Sequence, residues 1–185
     1  FGVLMLPVMY LTAKIFLKKT WLCSVVTLIF AFDFMHYTQS RIATIDVYVT
    51  FFIMLMYLFM YAYSFMSFYD NQLGKTFVPL LLCGISSGLA IASKWTGIYA
   101  LSGIAVIFFM TLWRRFNEYS ADKMLNFYKN SARTLIFCVL CFIIIPISIY
   151  CLSYIPYLAA NGEGIEGIWK NQVDIFTYHS DTVVS

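Results

Sequence analysis

The sequence predicts an all-α polytopic membrane protein with about six transmembrane helices and one amphipathic helix. Of its 185 residues, 62% are hydrophobic and 11% are charged, and the mean hydropathy is +0.80. Soluble domains are about a quarter charged and roughly half apolar. The 18 Phe and 14 Tyr residues fit a polytopic protein with aromatic side chains at the membrane interfaces. These values exclude an ordinary soluble domain, and the net charge of +3 gives no indication of nucleic-acid binding.

Six apolar runs meet or approach the length of about 20 residues that a membrane-spanning helix needs. They are residues 1–17, 21–37, 45–68, 77–93, 95–113 and 132–158. Pro146 predicts a kink in the sixth run, because proline interrupts the hydrogen bonds of a helix. The first run starts at Phe1, without an initiator Met or a signal peptide. We therefore expect the chain to be an internal segment of a larger protein.

Small residues recur in the fourth run at the spacing of one helix face. Gly84, Gly88 and Ala92 are each four residues apart, and such a stripe lets helices in membranes approach closely. The alternative is a chance pattern, which is frequent in apolar helices. We favour the first interpretation and predict that this face packs against a neighbouring helix.

The basic residues are distributed unevenly between the two ends of the predicted bundle. Nine of the twelve lie in or next to the connections after the first, third and fifth runs: Lys14, Lys18, Lys19, Lys75, Arg114, Arg115, Lys123, Lys129 and Arg133. The remaining three are Arg41, Lys94 and Lys170. The positive-inside rule places the larger set in the cytoplasm. Residues 33–46, the Lys94-Trp95 turn and the tail are therefore expected on the extracytoplasmic face.

Residues 159–185 differ in character from residues 1–158, which we predict to form the transmembrane helical bundle. Five apolar residues of the tail fall on one face of a helix: Ile165, Ile168, Trp169, Val173 and Phe176. We expect this segment to begin an extracytoplasmic loop, with its amphipathic helix lying on the membrane surface.

Residues 33–46, with the sequence DFMHYTQSRIATID, gather charged and polar side chains between two apolar runs. Charges near hydrocarbon are costly, so such a cluster at a membrane boundary indicates a functional site. Asp33 and His36 are three residues apart and share one helix face. The alternative for both is a polar helix end whose side chains reach water.

Arg41 and Asp46 each have two interpretations. The planar guanidinium of Arg41 suits a phosphate, and it suits an ion pair with Asp46 or Asp33 equally well. Asp46 follows Thr44, a favourable N-cap residue. It therefore also fits the role of a first-turn acid that stabilises the third helix.

Lys94 alone joins the fourth and fifth runs, and Trp95 begins the fifth. The lysine either extends to the interface beside an interfacial tryptophan or helps to bind an anionic headgroup. Tyr178 and His179 end the predicted amphipathic helix, where solvation also explains them. Together these groups suit a lipid-linked phosphosugar, because a cation stabilises a leaving phosphate and a carboxylate accepts the proton of an attacking hydroxyl.

Four motifs carry a resemblance to a known family. They are residues 33–46, the segment SKWTGIY at residues 93–99, Gln172 with Tyr178-His179, and the opening Leu6-Pro7-Val-Met-Tyr10. Together, and in their order along the chain, they resemble the dolichyl-phosphate-mannose–protein mannosyltransferases, glycosyltransferase family 39 of the GT-C type. The version is similar to the bacterial branch, which uses a polyprenyl-phosphate-mannose donor.

The resemblance implies a membrane glycosyltransferase with its active site on the extracytoplasmic face. Such an enzyme moves mannose, with inversion, from the lipid phosphate to Ser or Thr hydroxyls of exported proteins. The implied partners are polyprenyl-phosphate-mannose, an exported polypeptide and the lipid bilayer, and no cofactor is expected. The membrane would be the plasma membrane in a bacterium and the endoplasmic reticulum in a eukaryote.

The resemblance also implies roles for individual residues. The family's presumed catalytic base, an Asp-Glu pair in the first outer loop, would precede Phe1, so we assign no catalytic residue in this chain and expect the segment alone to be inactive. Contacts to the donor phosphate, or bracing of the active site, are implied for three residues: Arg41, Asp46 and Lys94. Six more are expected to line the cavity: Asp33, His36, Gln39, Trp95, Tyr178 and His179.

Two other functions compete with this interpretation. A transporter or lipid-handling permease also carries charges in its membrane segments, but near the midplane or in paired broken helices. A GT-C transferase with a lipid or glycan acceptor would share the same architecture. No metal site is expected, because His36 and His179 are far apart in sequence and Cys138 and Cys141 lie in an apolar run.

Overall fold

The computed structural model describes residues 1–42, 44–66, 73–122, 127–161, 164 and 166–184, and only the backbone at residues 119–122, 161 and 178–184. The regular elements of these residues are all helical. Their bounds are α1 Gly2–Leu17, α2 Thr20–Ala31, α3 Phe34–Ile42, α4 Ile45–Ser64, α5 Leu73–Ser93, α6 Thr96–Asp122, α7 Phe127–Val139, a π-helical turn Leu140–Ile144, α8 Ile145–Ser153, α9 Ile155–Asn161 and α10 Glu166–Val184.

Four helical segments of the described chain are long and apolar enough to cross a membrane: Ile45–Ser64, Leu73–Ser93, Thr96–Glu118 and Phe127–Ala160. The helices α2 and α3 reach this length only together and meet at a bend of 56°. The remaining apolar helix, α1, has 16 residues. The all-α polytopic class is therefore confirmed, with four spans, or five if α2 and α3 form one broken span.

The second apolar run was expected to be one helix from residue 21 to residue 37, and this expectation was wrong. The chain leaves the helix at Phe32 and re-enters it at Phe34. The intervening Asp33 accepts a hydrogen bond from the backbone N–H of His36 through its Oδ2 atom (2.9 Å). A carboxylate that caps a new helix N-terminus in this way stabilises the break, which hydropathy does not reveal.

A buried hydrophobic cluster lies where α4, α5 and α6 meet. Its members are Met56, Met60, Tyr63, Leu80, Cys83, Ile104 and Phe108. The helix α5 also packs against α8 and the π-helical turn. It is therefore the central helix of the described bundle.

The glycine stripe of α5 faces the π-helical turn and α8, as the spacing predicted. A Cβ atom at Gly84 would collide with the backbone carbonyl oxygen of Cys141, and one at Gly88 would lie 3.0 Å from the Cα atom of Pro146. A π-helical turn, Leu140–Ile144, precedes Pro146, and the helical span continues past this proline to Ala160. The kink at Pro146 stays a prediction. Close packing of small residues is thus confirmed at Gly84 and Gly88.

Arg115 is buried, with 1% of its surface exposed, although sequence analysis placed it in a connection. The reason is that α6 continues to Asp122, beyond the end of the apolar run. The Arg115 guanidinium donates hydrogen bonds to the carbonyl oxygens of Tyr63 (3.0 Å) and Met66 (2.6 Å). It thereby satisfies acceptors at the carboxyl end of α4, where the helix dipole favours a cation.

Candidate active site

Asp33 and His36 contact each other, but the Asp33 carboxylate binds the backbone N–H of His36 and not its imidazole ring. The Asp33 carboxylate binds the His36 N–H, as described above, and the His36 ring lies against the ring of Phe30, with 4.3 Å between the centroids. Asp33 itself is exposed. The polar-helix-end interpretation therefore accounts for the position of both residues.

Arg41 lies on the exposed side of α3 and contacts Tyr37, one helical turn earlier. Its Nη1 atom donates a hydrogen bond to the Tyr37 hydroxyl (2.7 Å), and its Cζ atom is 5.1 Å from the centre of that ring. Within the described residues, neither Asp33 nor Asp46 forms an ion pair with it. The guanidinium is thus oriented by an aromatic neighbour and keeps its charge accessible.

Asp46 pairs with Lys94 instead. The Lys94 Nζ atom lies 2.6 Å from Asp46 Oδ1, and the two side chains are 47% and 54% exposed. The pair joins the first turn of α4 to the turn between α5 and α6, which contains Lys94 and Trp95. Because both groups are half exposed, the pair contributes only about 0.2–1 kcal/mol to stability. The pair matters more for position than for stability, because it brings the motif at residues 33–46 into contact with the motif at residues 93–99.

Thr44 occupies the N-cap position of α4, as predicted, but its hydroxyl does not cap the helix. The Thr44 Oγ1 atom donates instead to Gln39 Oε1 (3.1 Å). This bond connects the end of α3 to the start of α4. Gln39 is therefore held close to Asp46 by a contact that the sequence pattern did not predict.

Four of the predicted residues line one open cavity of about 220 Å³ between α3 and its neighbours: Asp33, His36, Gln39 and Asp46. Met5, Phe30 and Val47 provide apolar parts of its wall. The cavity joins the helix break at Asp33 to the Asp46–Lys94 pair. Arg41 is not among its described lining residues.

Lys94 and Trp95 line a second cleft of about 600 Å³, between the α5–α6 turn, α8 and α10. The Trp95 Nε1–H donates to the Tyr150 hydroxyl (3.2 Å), which lies 3.3 Å from the Tyr154 hydroxyl. In turn, Gln172 Nε2 of α10 donates to Tyr154 (2.7 Å). We call this opening the Lys94 cleft.

Tyr150 and Tyr154 were not predicted from the sequence. A sequence signal for them was present, because two tyrosines four residues apart near the end of an apolar run place two hydroxyl groups on one helix face.

Tyr178 and His179 lie in α10, but only their backbone belongs to the described part of the chain. Among the described residues, no three His, Cys, Asp or Glu side chains come together as a metal site would require.

Comparison with known proteins identifies the family. The model of the dolichyl-phosphate-mannose-protein mannosyltransferase family matches residues 1–158. The chain belongs to this family. Over 112 residues, it is 26% identical to dolichyl-phosphate-mannose–protein mannosyltransferase 1 of Saccharomyces cerevisiae. That alignment covers 60% of the chain and 13% of the relative, so the chain spans a small part of that protein's length. No solved structure matches the chain significantly.

Residues 1–158, which match the mannosyltransferase family, include all described lining residues of the cavity next to α3. They also include the walls of the Lys94 cleft that come from α5, α6 and α8. The matched segment includes Arg41, Asp46, Lys94 and Tyr150, whereas α10, with Gln172, lies beyond it. The resemblance that the motifs carried is therefore confirmed at the level of the family.

Proposed function

We propose that the protein containing this chain transfers mannose from polyprenyl-phosphate-mannose to Ser or Thr hydroxyls of exported polypeptides, with inversion. The observation that carries this proposal is the Asp46–Lys94 contact within the segment that matches the mannosyltransferase family. It joins the two most specific motifs of the chain at one end of a membrane bundle. A lipid-borne phosphate reaches such a position from the bilayer.

Lys94 and Arg41 are the proposed contacts to the donor phosphate. During transfer, the acceptor oxygen forms a bond to the anomeric carbon while the bond from that carbon to the phosphate oxygen breaks. The phosphate leaves with the electron pair, and cations near it lower the energy of the developing charge. Both side chains are exposed, so each can turn toward the ligand.

The proton of the attacking hydroxyl passes to a general base. Asp33 is held as a helix cap by the His36 N–H, and Asp46 is neutralised by Lys94, so neither fits this role. We therefore propose that the base is a carboxylate other than Asp33 and Asp46. Asp46 braces Lys94, and Asp33, His36 and Gln39 shape the neighbouring cavity.

The asymmetry of the basic residues supports an extracytoplasmic position for this site. Arg114 and Arg115 lie at the opposite end of α4 from Asp46, where they bind carbonyl groups of Tyr63 and Ser64. By the positive-inside rule that end is cytoplasmic. The site would then face the periplasmic side of a bacterial plasma membrane, or the lumen of the endoplasmic reticulum in a eukaryote.

The test is mannose transfer by the full-length gene product in membrane vesicles. Radiolabelled polyprenyl-phosphate-mannose and a Ser/Thr peptide should yield a mannosylated peptide, and a peptide in which Ala replaces each Ser and Thr should not. Labelled lipid or glycan as the sole product would overturn the proposed acceptor. Uptake of substrate into vesicles without any glycosyl product would overturn the enzyme function in favour of a transporter.

A further inference from the structure

The hydroxyl group of Tyr150 has a proton that the described network does not use. Side-chain amide N–H groups and the indole N–H are donors only, whereas a phenol has one proton and two lone pairs. Tyr154 accepts from Asn171 Nδ2 (3.3 Å) and Gln172 Nε2 (2.7 Å), with the amides oriented as in the structure. In this arrangement both lone pairs of Tyr154 are occupied, and we therefore assign Tyr154 as the donor in its contact with Tyr150, 3.3 Å away.

The same count of hydrogen-bond donors against lone pairs applies to the hydroxyl group of Tyr150. With this assignment its oxygen accepts from Trp95 Nε1 (3.2 Å) and from Tyr154, and the Gln172 side chain also interacts with it. With both lone pairs occupied, the remaining proton of Tyr150 is available to an acceptor outside the network. Tyr150 lines the Lys94 cleft, so the acceptor would be a molecule in that cleft.

The lining of the Lys94 cleft indicates which acceptor fits. Lys94 is the only charged residue among its described lining residues, and its ammonium group is shared with Asp46, whose Oδ1 atom lies 2.6 Å away outside that lining. An ammonium group and a phenol proton facing one cleft suit an anion with several oxygen atoms, and phosphate is the anion that both groups bind well.

A second, apolar cleft continues from the first. Its volume is about 450 Å³, and it shares Ile91, Trp95 and Tyr150 with the Lys94 cleft. The rest of its wall is mostly aliphatic and aromatic: Ile98, Phe142, Ile143, Pro146, Ile147 and Trp169. A chain of hydrocarbon attached to the phosphate would bury its first units here, which favours a lipid-borne phosphate over a free one.

We propose that Tyr150 is a donor-binding residue, whose hydroxyl donates a hydrogen bond to a phosphate oxygen of the lipid-linked sugar held by Lys94. Asn171 and Gln172 are positioning residues, because they occupy the lone pairs of Tyr154 that would otherwise accept the Tyr150 proton. Trp95 and Tyr154 hold the Tyr150 oxygen in place. This inference rests on the proposed function and adds a specific contact to it. It also gives α10 a role, since Gln172 reaches the network from that helix.

The test compares binding of three probes to the purified full-length protein by isothermal titration calorimetry: polyprenyl phosphate, uncharged polyprenol and inorganic phosphate. A hydrogen bond to a charged acceptor corresponds to at least a tenfold difference in affinity. Tyr150→Phe should therefore weaken binding of polyprenyl phosphate about tenfold and leave binding of polyprenol unchanged. A structural defect would weaken both, and that result would overturn the proposed contact.

The matched control is Tyr157→Phe, the same chemical change on α9, at a residue outside both clefts' described linings. It should leave the affinity for all three probes unchanged. Equal effects of Tyr150→Phe and Tyr157→Phe would overturn the inference. Inorganic phosphate that binds wild type as tightly as polyprenyl phosphate would overturn the lipid-borne source.

The failure of this inference is distinguishable from that of the proposed function. If wild type binds polyprenyl phosphate and transfers mannose but Tyr150→Phe does both equally well, the Tyr150 contact alone is wrong. If wild type binds polyprenyl phosphate and Tyr150→Phe weakens it, but no mannose is transferred, the contact stands and the proposed transfer reaction is wrong. If wild type does not bind polyprenyl phosphate at all, both are wrong.

Discussion

The Nζ atom of Lys94 lies 2.6 Å from Oδ1 of Asp46, 48 residues earlier in the chain. The contact connects the turn after the central helix α5 to the first turn of α4. Asp46 therefore serves two positive partners, the Lys94 ammonium and the dipole at the start of α4. A phosphate bound by Lys94 would share this cation with Asp46.

Loss of the Asp46 carboxylate should impair transfer more than it impairs stability. In Asp46→Asn, the flexible Lys94 side chain loses the partner that holds it, and we expect kcat to fall about tenfold, while the free energy of unfolding changes by about 1 kcal/mol or less. Steady-state kinetics of the full-length protein would measure this. In a cycle with Lys94→Gln, the two effects should be non-additive, and additive effects would contradict a role for the pair.

Arg41→Ala in the full-length protein should abolish mannose transfer while membrane expression stays normal. The guanidinium is exposed and contacts Tyr37, so that its loss removes charge from the site without disturbing the buried cluster. Arg41→Lys should retain partial activity, because an ammonium supplies the charge but not the planar set of donors. The matched control is Arg133→Ala at the other end of the bundle. Normal turnover in Arg41→Ala would refute the role given to this residue.

Arg115→Met should destabilise the protein by about 3 kcal/mol, because the carbonyl groups of Tyr63 and Met66 lose their buried donor. The guanidinium also lies over the ring of Tyr63, with 4.4 Å from its Cζ atom to the ring centre. Thermal unfolding in detergent would report the change. Arg114→Met is the neighbouring comparison, and its effect should be smaller because the Arg114 side chain is 49% exposed. Equal shifts in Tm would show that burial of Arg115 does not matter.

Gly84→Ala should destabilise the bundle by about 1–3 kcal/mol, since the added methyl group meets the backbone of the π-helical turn at Cys141. Gly74 provides the control on the same helix, because a Cβ atom there has nothing within 4 Å. Gly74→Ala should be neutral or slightly stabilising, as alanine is the better helix former. The two variants are compared by thermal unfolding, and similar Tm values would contradict the close approach of α5 to this turn.

Labelling from outside the cell should reach the α3 segment but not the α7 start. In a background without native cysteines, Thr38→Cys should react with a membrane-impermeant maleimide in intact cells. Tyr128 lies at the basic end of the bundle and is 68% exposed. Tyr128→Cys should therefore react only after the cells are permeabilised. The reverse pattern would place the proposed site on the cytoplasmic side and overturn it.

Much of this architecture was predictable because the signals are local. Hydropathy over about 20 residues marks a span, and a stripe of glycines at intervals of four marks a close-packed face, as at Gly84 and Gly88. The family could be predicted from residues 33–46 and 93–99, since each motif is continuous in sequence. The helix break at Asp33 was not predicted, because Phe34 and Met35 extend the apolar run past the residue that caps the new helix.

The sequence by itself determined that this chain forms apolar helices of a mannosyltransferase-family membrane protein and marked Arg41, Asp46 and Lys94 as its polar residues of interest. Only the tertiary structure decided that Asp46 pairs with Lys94 rather than with Arg41. It also decided that Arg115 is buried against α4. The hydrogen bond from Trp95 to Tyr150, within the network that extends to Gln172, is likewise a tertiary contact. The physical reason is that helix periodicity relates residues three or four apart, whereas contacts between helices depend on the depth and rotation at which each helix packs, which no single segment encodes.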